Sequence, residues 1–154
     1  MGPGEFVADN TQGILNPSEL PIARIENRSR NYGHRPCPKC GKSSYRDSRG
    51  SRMLHDFGDV KSGCPQDIHL EYSKHRCEKC GIYFNADMSD LAPPGARYTH
   101  RVISTAVRIV VEDGLPYRVA SWHLWRDHRV FVPFATVQNW VEAAGKKSTQ
   151  KRPA

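Results

Sequence analysis

Two copies of a Cys-x-x-Cys-Gly motif carry the clearest chemistry in this sequence. Cys37 pairs with Cys40 in the first copy and Cys77 with Cys80 in the second, and a lysine precedes the second cysteine of each pair. Zn²⁺ is bound by four soft ligands in a tetrahedron, and two residues between paired cysteines let one tight turn present both sulfurs. The glycine after each pair lets the backbone curl under the metal through conformations that other residues resist. The four cysteines are therefore predicted to bind one structural zinc ion.

Two other uses of paired cysteines, a redox pair and a disulfide framework, are the alternatives. A redox motif occurs once, on a βαβ pattern, whereas this motif occurs twice in a segment punctuated by glycine and proline. The fifth cysteine, Cys64, lies in a turn-like segment without a partner and is interpreted as a bystander. His34 and His75 stand close to the motifs, but four cysteines complete the shell, so neither is predicted to bind the ion. Cysteines used as metal ligands indicate a reducing compartment.

Positive charge is concentrated towards the two ends of the chain, which has 154 residues and a formal charge of +7. Residues 1–52 hold nine Lys/Arg against five acids, residues 53–96 four against seven, and residues 97–154 ten against four. This distribution favours a polyanion bound at two places, and a basic surface that only confers solubility is the alternative. No apolar run approaches the roughly 20 residues of a membrane helix. The protein is expected in the cytoplasm, associated with DNA.

The first 33 residues show little apolar periodicity. Residues 1–6 look like a remnant of a cloning vector. We interpret residues 7–33 as a flexible basic arm that follows a phosphate backbone or enters a minor groove, and a plain disordered tail fits the composition equally well. The arginines expected to contact DNA from this side are Arg24, Arg28, Arg30 and Arg35.

Residues 34–84 are predicted to form a zinc ribbon, in which two knuckles are joined to a small sheet of short antiparallel strands. Residues 43–46 suit a strand and residues 49–51 a turn. Residues 67–73 alternate polar and apolar side chains with the period of a half-buried strand. A module this small has little core, so the metal would supply much of its stability. The proline-rich residues 85–98 are predicted to be a linker.

Residues 99–145 are predicted to form three helices. Apolar residues recur at i, i+3 and i+4 in the first part, and Pro116 and Pro133 are placed to open two further helices. Gly145 is expected to end the third helix, leaving residues 146–154 as a basic tail. Three short helices in this order form a helix-turn-helix, whose last helix enters the major groove, and a small bundle that binds protein is the alternative.

The outward face of the third helix is the predicted DNA reader. Val137 and Trp140 are expected on the inward face as core, whereas the amides of Gln138 and Asn139 point outward and can bond adenine in bidentate fashion. The DNA-contacting residues predicted at this end of the chain are Ala135, Thr136, Gln138, Asn139, Lys146 and Lys147.

The order of these parts resembles the N-terminal region of bacterial insertion-sequence transposases of the DDE type, which carry a zinc ribbon ahead of a helix-turn-helix. The resemblance rests on the Cys-Pro-x-Cys-Gly motif from Cys37, the Arg-Cys-x-x-Cys-Gly-x-x-Phe motif from Arg76 and the Thr-Val-x-x-Trp-Val run from Thr136, and it covers about residues 34–145. The chain departs from the family pattern in the 36 residues between its two motifs and in lacking glycine before the third helix.

The resemblance implies that this region binds double-stranded DNA at the terminal inverted repeats of a transposon, while a separate nuclease domain cuts. A homodimer of the full-length protein is a further expected assembly. The alternatives are a stand-alone or domesticated transcription regulator and a zinc-ribbon module that docks on protein. Catalysis within this chain is not expected, because its acids are scattered and a closed four-cysteine zinc site leaves no position for water.

Overall fold

The computed structural model describes residues 20–151, with side chains as far as Lys146. The predicted vector remnant, residues 7–19 of the predicted arm and residues 152–154 lie outside the described residues. The described chain is a small α+β protein with a sheet and three helices, as the sequence predicts. The sheet has five strands, and two of them have 17 and 13 residues rather than the short lengths predicted. The strands are β1 (Arg24–Arg30), β2 (His34–Pro36), β3 (Ser43–Asp59), β4 (Cys64–Arg76) and β5 (Tyr83–Asn85). The helices are α1 (His100–Val111), α2 (Tyr117–His128) and α3 (Phe134–Lys151).

These elements belong to two compact units. The sheet unit comprises residues 25–55 and 67–99. Among the described residues, the helical unit comprises residues 20–24, 56–66 and 100–151, so the tip of the β3–β4 hairpin belongs with the helices. Within residues 20–151, no helix combines the length and apolarity that crossing a bilayer requires.

The sheet is built on a long hairpin of β3 and β4. The strand order is β1-β4-β3-β2, and β5 pairs with the end of β4 that leads to the second cysteine pair. The hairpin turns at Gly63, which has a φ of +75° and whose N–H donates to the Asp59 carbonyl at 2.9 Å. Glycine adopts this positive φ without the steric cost that a Cβ would add, so it suits the turn.

The turn predicted at residues 49–51 is wrong, because β3 runs straight through them. Gly50 has an ordinary strand backbone, and a Cβ on it would lie 2.6 Å from Cζ of Tyr72. The glycine therefore makes room for an aromatic ring on the neighbouring strand, which is a common role of glycine inside strands.

Part of the predicted flexible arm is strand. Residues 24–30 form β1 at one edge of the sheet, and the Arg30 guanidinium donates two hydrogen bonds to the Asp90 carboxylate, at 2.8 and 2.9 Å. The Tyr32 N–H donates to Oγ of Ser73 at 3.1 Å. Sheet pairing and contacts with residues about 40 to 60 positions away, none of which local composition reveals, order this segment.

Residues 85–98 also differ from the predicted linker. They pack on the hairpin, where Ala92 joins a buried apolar cluster with Leu54, Ile68 and Leu70. The Arg52 guanidinium donates to the Pro93 carbonyl at 3.1 Å. The prolines therefore shape a loop that covers the sheet rather than a spacer between domains.

The three helices pack on one another around a shared core. Their buried apolar side chains, together with those of the α2–α3 connection, are Val102, Ala106, Ala120, Leu124, Trp125, Val130, Val132 and Val137. Trp140, predicted to be core, is only half-buried. Gly145 does not end α3, because it keeps a helical conformation without the positive φ that stops a helix, and the predicted tail begins as helix.

The hairpin tip meets the α2–α3 connection at Gly58, where we expect any side chain to be destabilising. A Cβ at this position would lie 2.5 Å from the Cys64 carbonyl oxygen and 2.8 Å from Cβ of Arg129. Because one of these neighbours is backbone and cannot swing aside, Gly58→Ala should lower the free energy of unfolding by about 1–3 kcal/mol. Denaturant unfolding followed by far-UV circular dichroism measures the loss.

The matched control is Gly145→Ala, a glycine of the same unit with no atom within 4 Å of an added Cβ. Alanine favours the helix by roughly 1 kcal/mol over glycine, so this variant should be unchanged or slightly more stable. Equal stability of the Gly58 and Gly145 variants would show that the hairpin tip is not packed as described.

Candidate metal centre and nucleic-acid interface

The two cysteine motifs fold into knuckles of the same geometry. In the first knuckle (residues 37–42), the Gly41 N–H donates to the Cys37 carbonyl at 2.8 Å and the Cys37 N–H donates to the Lys42 carbonyl at 2.9 Å. The second knuckle (residues 77–82) repeats both bonds, at 2.7 and 3.0 Å. Gly41 and Gly81 have φ values of +78° and +70°, so each turn uses the conformation that glycine adopts most easily.

The knuckles bring all four predicted ligands together. The Sγ atoms of Cys37, Cys40, Cys77 and Cys80 lie within 4.8 Å of one another, and those of Cys40 and Cys77 are 3.5 Å apart. Sulfurs at about 2.3 Å from a tetrahedral zinc ion are about 3.8 Å apart, so the cluster has the size of one such site. The predicted ligand set is confirmed as four cysteines positioned to bind one metal ion.

The pKa values of two of the clustered thiols are shifted in opposite directions. The pKa of Cys77 is lowered to about 6, because the Cys80 backbone N–H donates a hydrogen bond to its sulfur at 3.3 Å. The pKa of Cys80 is raised to about 12, first by its hydrogen bond with the Cys40 thiol and then by burial. Four thiolates in one cluster repel one another, and a divalent ion removes that cost.

His75 lies beside the metal centre without being placed to bind an ion. Its ring is fully buried, stacks on Phe84 at 5.4 Å and has Nδ1 3.0 Å from the Ser44 carbonyl oxygen. A carbonyl only accepts, so Nδ1 carries the hydrogen, and Nε2 lies 2.7 Å from Oγ of Ser73. The histidine therefore joins the strand that leaves the first knuckle to the strand that enters the second.

The two other candidates for ligands stay outside the cluster. His34 is exposed in β2 opposite Tyr45. Cys64 lies at the start of β4, where its Sγ is 3.8 Å from the Ser62 carbonyl oxygen. The metal-ligating group found among residues 20–146 contains neither of them.

The predicted reading residues of α3 divide into an exposed and a less exposed set. Ala135 and Asn139 are exposed one turn apart, whereas Thr136 and Gln138 are half-buried. Lys146 is exposed in the helix two further turns along, and the side chain of Lys147 lies outside the described residues. Gln138 is therefore less accessible than Asn139.

The predicted arginines at the front of the chain are mostly engaged within the protein. Arg24 lies 3.7 Å from the Asp59 carboxylate, and Arg28 pairs with Glu26. Arg30 is held by Asp90, which raises the pKa of the guanidinium further above its ordinary value. Arg35 instead stacks over the Tyr32 ring, with its Cζ 4.7 Å from the ring centroid.

In the connection between α2 and α3, an arginine adopts the backbone conformation that glycine usually takes at the end of a helix. Arg129 takes the left-handed conformation, with φ 48° and ψ 40°, and its N–H donates to the Trp125 carbonyl at 3.0 Å. Its guanidinium lies over the Trp125 ring at 4.7 Å. The Ser121 hydroxyl donates to the Val132 carbonyl and so anchors the connection to α2.

Sequence reasoning did not identify three tyrosines of the sheet unit that the structure exposes, which are Tyr32, Tyr45 and Tyr83. The signal available was their position close to the cysteine motifs, with Tyr32 and Tyr45 also lying in a basic stretch. No family model, curated protein or solved structure matches the chain.

Proposed function

We propose that this chain binds double-stranded DNA as the end-recognition region of a transposase, with a zinc ribbon ahead of a helix-turn-helix. The helical unit reads base edges through α3, and the zinc ion holds the two knuckles of the sheet unit together. The observation that carries the proposal is the two-sided character of α3, which buries Val137 and exposes Ala135 and Asn139 immediately after a short connection from α2.

The chemistry of the exposed α3 face suits a major groove. Ala135, Asn139, Glu142 and Lys146 recur at i, i+4, i+7 and i+11 and are all exposed. A small apolar side chain fits against a thymine methyl, an asparagine bonds adenine, and a carboxylate accepts from cytosine N4. A lysine at the far end of the face is suited to a phosphate.

The start of α3 offers a place for the DNA backbone. The helix has no acidic residue in its first turn, and the N-terminus of a helix attracts anions. The Arg118 guanidinium lies 4.3 Å from the centroid of the Phe134 ring, which puts a cation beside the first residue of the helix. A phosphate bound at this point would fix how α3 enters the groove.

The test is a binding-site selection on random duplexes, followed by variants of α3. We expect Asn139→Ala to keep the fold but relax the preference at one or two base pairs, by about 1–3 kcal/mol of discrimination. Gln138→Ala should have the smaller effect, because Gln138 is half-buried. Equilibrium binding to the selected site and to single-base variants of it measures the preference.

Lys146→Ala is the matched control on the same helix. It should weaken all sequences alike and reduce the slope of log affinity against log salt by about one, because a phosphate contact carries no base information. If the selection yields no motif and binding does not respond to salt, the duplex-binding proposal fails and the protein-docking alternative is favoured.

A further inference from the structure

Three tyrosines of the sheet unit are exposed close to the metal centre. Tyr32, Tyr45 and Tyr83 have 37%, 41% and 68% of their surface exposed. Tyr32 lies five residues before Cys37, Tyr45 five after Cys40 and Tyr83 three after Cys80. Five extended residues span at most about 18 Å, so the Cα of each tyrosine lies within that distance of the Cα of its neighbouring ligand cysteine. Because the four sulfurs converge, all three tyrosines lie at the end of the sheet unit that holds the cysteines, and we call this end the knuckle-end surface.

Cations accompany these rings. The Cζ of Arg35 is 4.7 Å from the Tyr32 ring centroid, and that of Arg76 is 5.9 Å from the Tyr83 centroid. Arg76 and Tyr83 are directly paired across β4 and β5, so they share one face of the sheet. Each guanidinium lies over one face of its ring, so a positive charge stands directly beside each of these two aromatic groups.

The stretch around the first knuckle carries only positive charge. Residues 28–46 contain six Lys/Arg and no Asp/Glu. Arg28 and Arg30 pair with acids elsewhere in the chain, and among the described residues no ion pair involves the remaining four, which are Arg35, Lys39, Lys42 and Arg46. Lys39, Lys42 and Arg46 are exposed. The surface therefore combines exposed aromatic side chains with cations that form no ion pair with any residue that the structure describes.

We propose that the knuckle-end surface binds single-stranded nucleic acid, with unpaired bases stacked on Tyr32, Tyr45 and Tyr83 and phosphates bound by the neighbouring lysines and arginines. Duplex DNA presents its phosphates, but its base faces are already stacked on each other. An aromatic ring gains a base only where the base is unpaired, and cationic grooves with stacking rings are the usual means of binding single strands. This activity goes beyond the duplex reading proposed for α3 and uses a different unit.

The test uses the zinc-loaded full chain and a fluorescein-labelled 15-mer of deoxythymidine. We expect Tyr83→Ala to weaken binding about tenfold, within the range that one base–aromatic stack supplies, and Tyr83→Phe to stay within about twofold of the parent chain. Met53→Ala is the matched control, because Met53 is exposed to 40% in the same unit and carries no aromatic ring. Tyr83→Leu, which keeps apolar volume but no ring face, should lose as much as Tyr83→Ala.

A second probe separates stacking from charge. A 15-residue abasic strand keeps the phosphates and lacks the bases, so it should bind markedly more weakly than the thymidine 15-mer. Equal binding of the two strands, or equal affinity of Tyr83→Phe and Tyr83→Ala, would overturn the proposal. Zinc content and far-UV circular dichroism of each variant establish that the variants are folded.

Two further measurements identify which nucleic acid is preferred and distinguish this proposal from duplex binding by α3. A uridine 15-mer of RNA compared with the DNA strand reports which single-stranded nucleic acid is preferred, and affinity for either depends on the tyrosines if the proposal holds. Asn139→Ala should leave binding of the thymidine strand unchanged while altering duplex preference. Loss of single-strand binding in that α3 variant would contradict a separate surface on the sheet unit.

Discussion

Removal of the metal is expected to unfold the knuckle end of the sheet unit while α1, α2 and α3 keep their helical signal. Metal binding in small zinc modules supplies on the order of 10 kcal/mol of folding free energy. Chelation, or Cys77→Ser, removes that contribution and leaves a cluster of thiols whose backbone was ordered around the ion. Segment-resolved hydrogen exchange should show lost protection in residues 34–46 and 73–85.

The hairpin beyond the knuckles is expected to respond less. Leu54, Ile68 and Leu70 form an apolar cluster that contains no metal ligand. Residues 56–66 belong to the helical unit and should retain protection with it. Cys64→Ser is the matched control, since it removes a thiol that lies outside the cluster and should leave one zinc per chain. Metal analysis that finds no zinc in protein purified without chelator would refute the metal centre.

Trp125→Ala is expected to be the most damaging single truncation in the helical unit. Trp125 is 4% exposed, packs in the core shared by the three helices and lies under the Arg129 guanidinium. Truncation of a buried aromatic costs about 3–5 kcal/mol. Trp140→Ala should cost roughly half of that, because the side chain keeps part of its surface in water and less apolar area is lost.

Denaturant unfolding followed by far-UV circular dichroism ranks the two variants under the same conditions. Both variants remove the same side-chain atoms from the same unit, so a difference in their stability reflects the difference in burial. A Trp140 variant that is as unstable as the Trp125 variant would mean that α3 is more deeply packed than described. The duplex reader would then have to lie elsewhere in the chain.

The metal centre is the feature that residue order predicted most completely. The Cys-x-x-Cys-Gly motif is local: two sulfurs and a glycine with positive φ form one turn, and that turn barely depends on the rest of the fold. Two such turns in one chain therefore predicted a four-cysteine cluster, and the structure brings Cys37, Cys40, Cys77 and Cys80 together. The three helices were predicted for a similar reason, because apolar periodicity and helix-opening prolines act within a few residues.

Tertiary packing decided the features that depend on distant partners. Arg30 looked like a free cation of a flexible arm, yet Asp90, 60 residues away, holds it in an ion pair. Gly50 looked like a turn residue, and only the ring of Tyr72 on the neighbouring strand explains it. Residues 85–98 looked like a linker because proline marks irregular backbone, whether that backbone spans solvent or covers a sheet.

The two tryptophans show the same limit, because Trp140 was predicted to be core and Trp125 is the more deeply buried. Helical periodicity identifies which residues share a face, but several faces of three short helices are apolar, and only the packing of all three determines which face is enclosed. Local backbone chemistry is thus readable from neighbouring residues, whereas burial and charge pairing depend on segments that folding brings together from far apart in the chain.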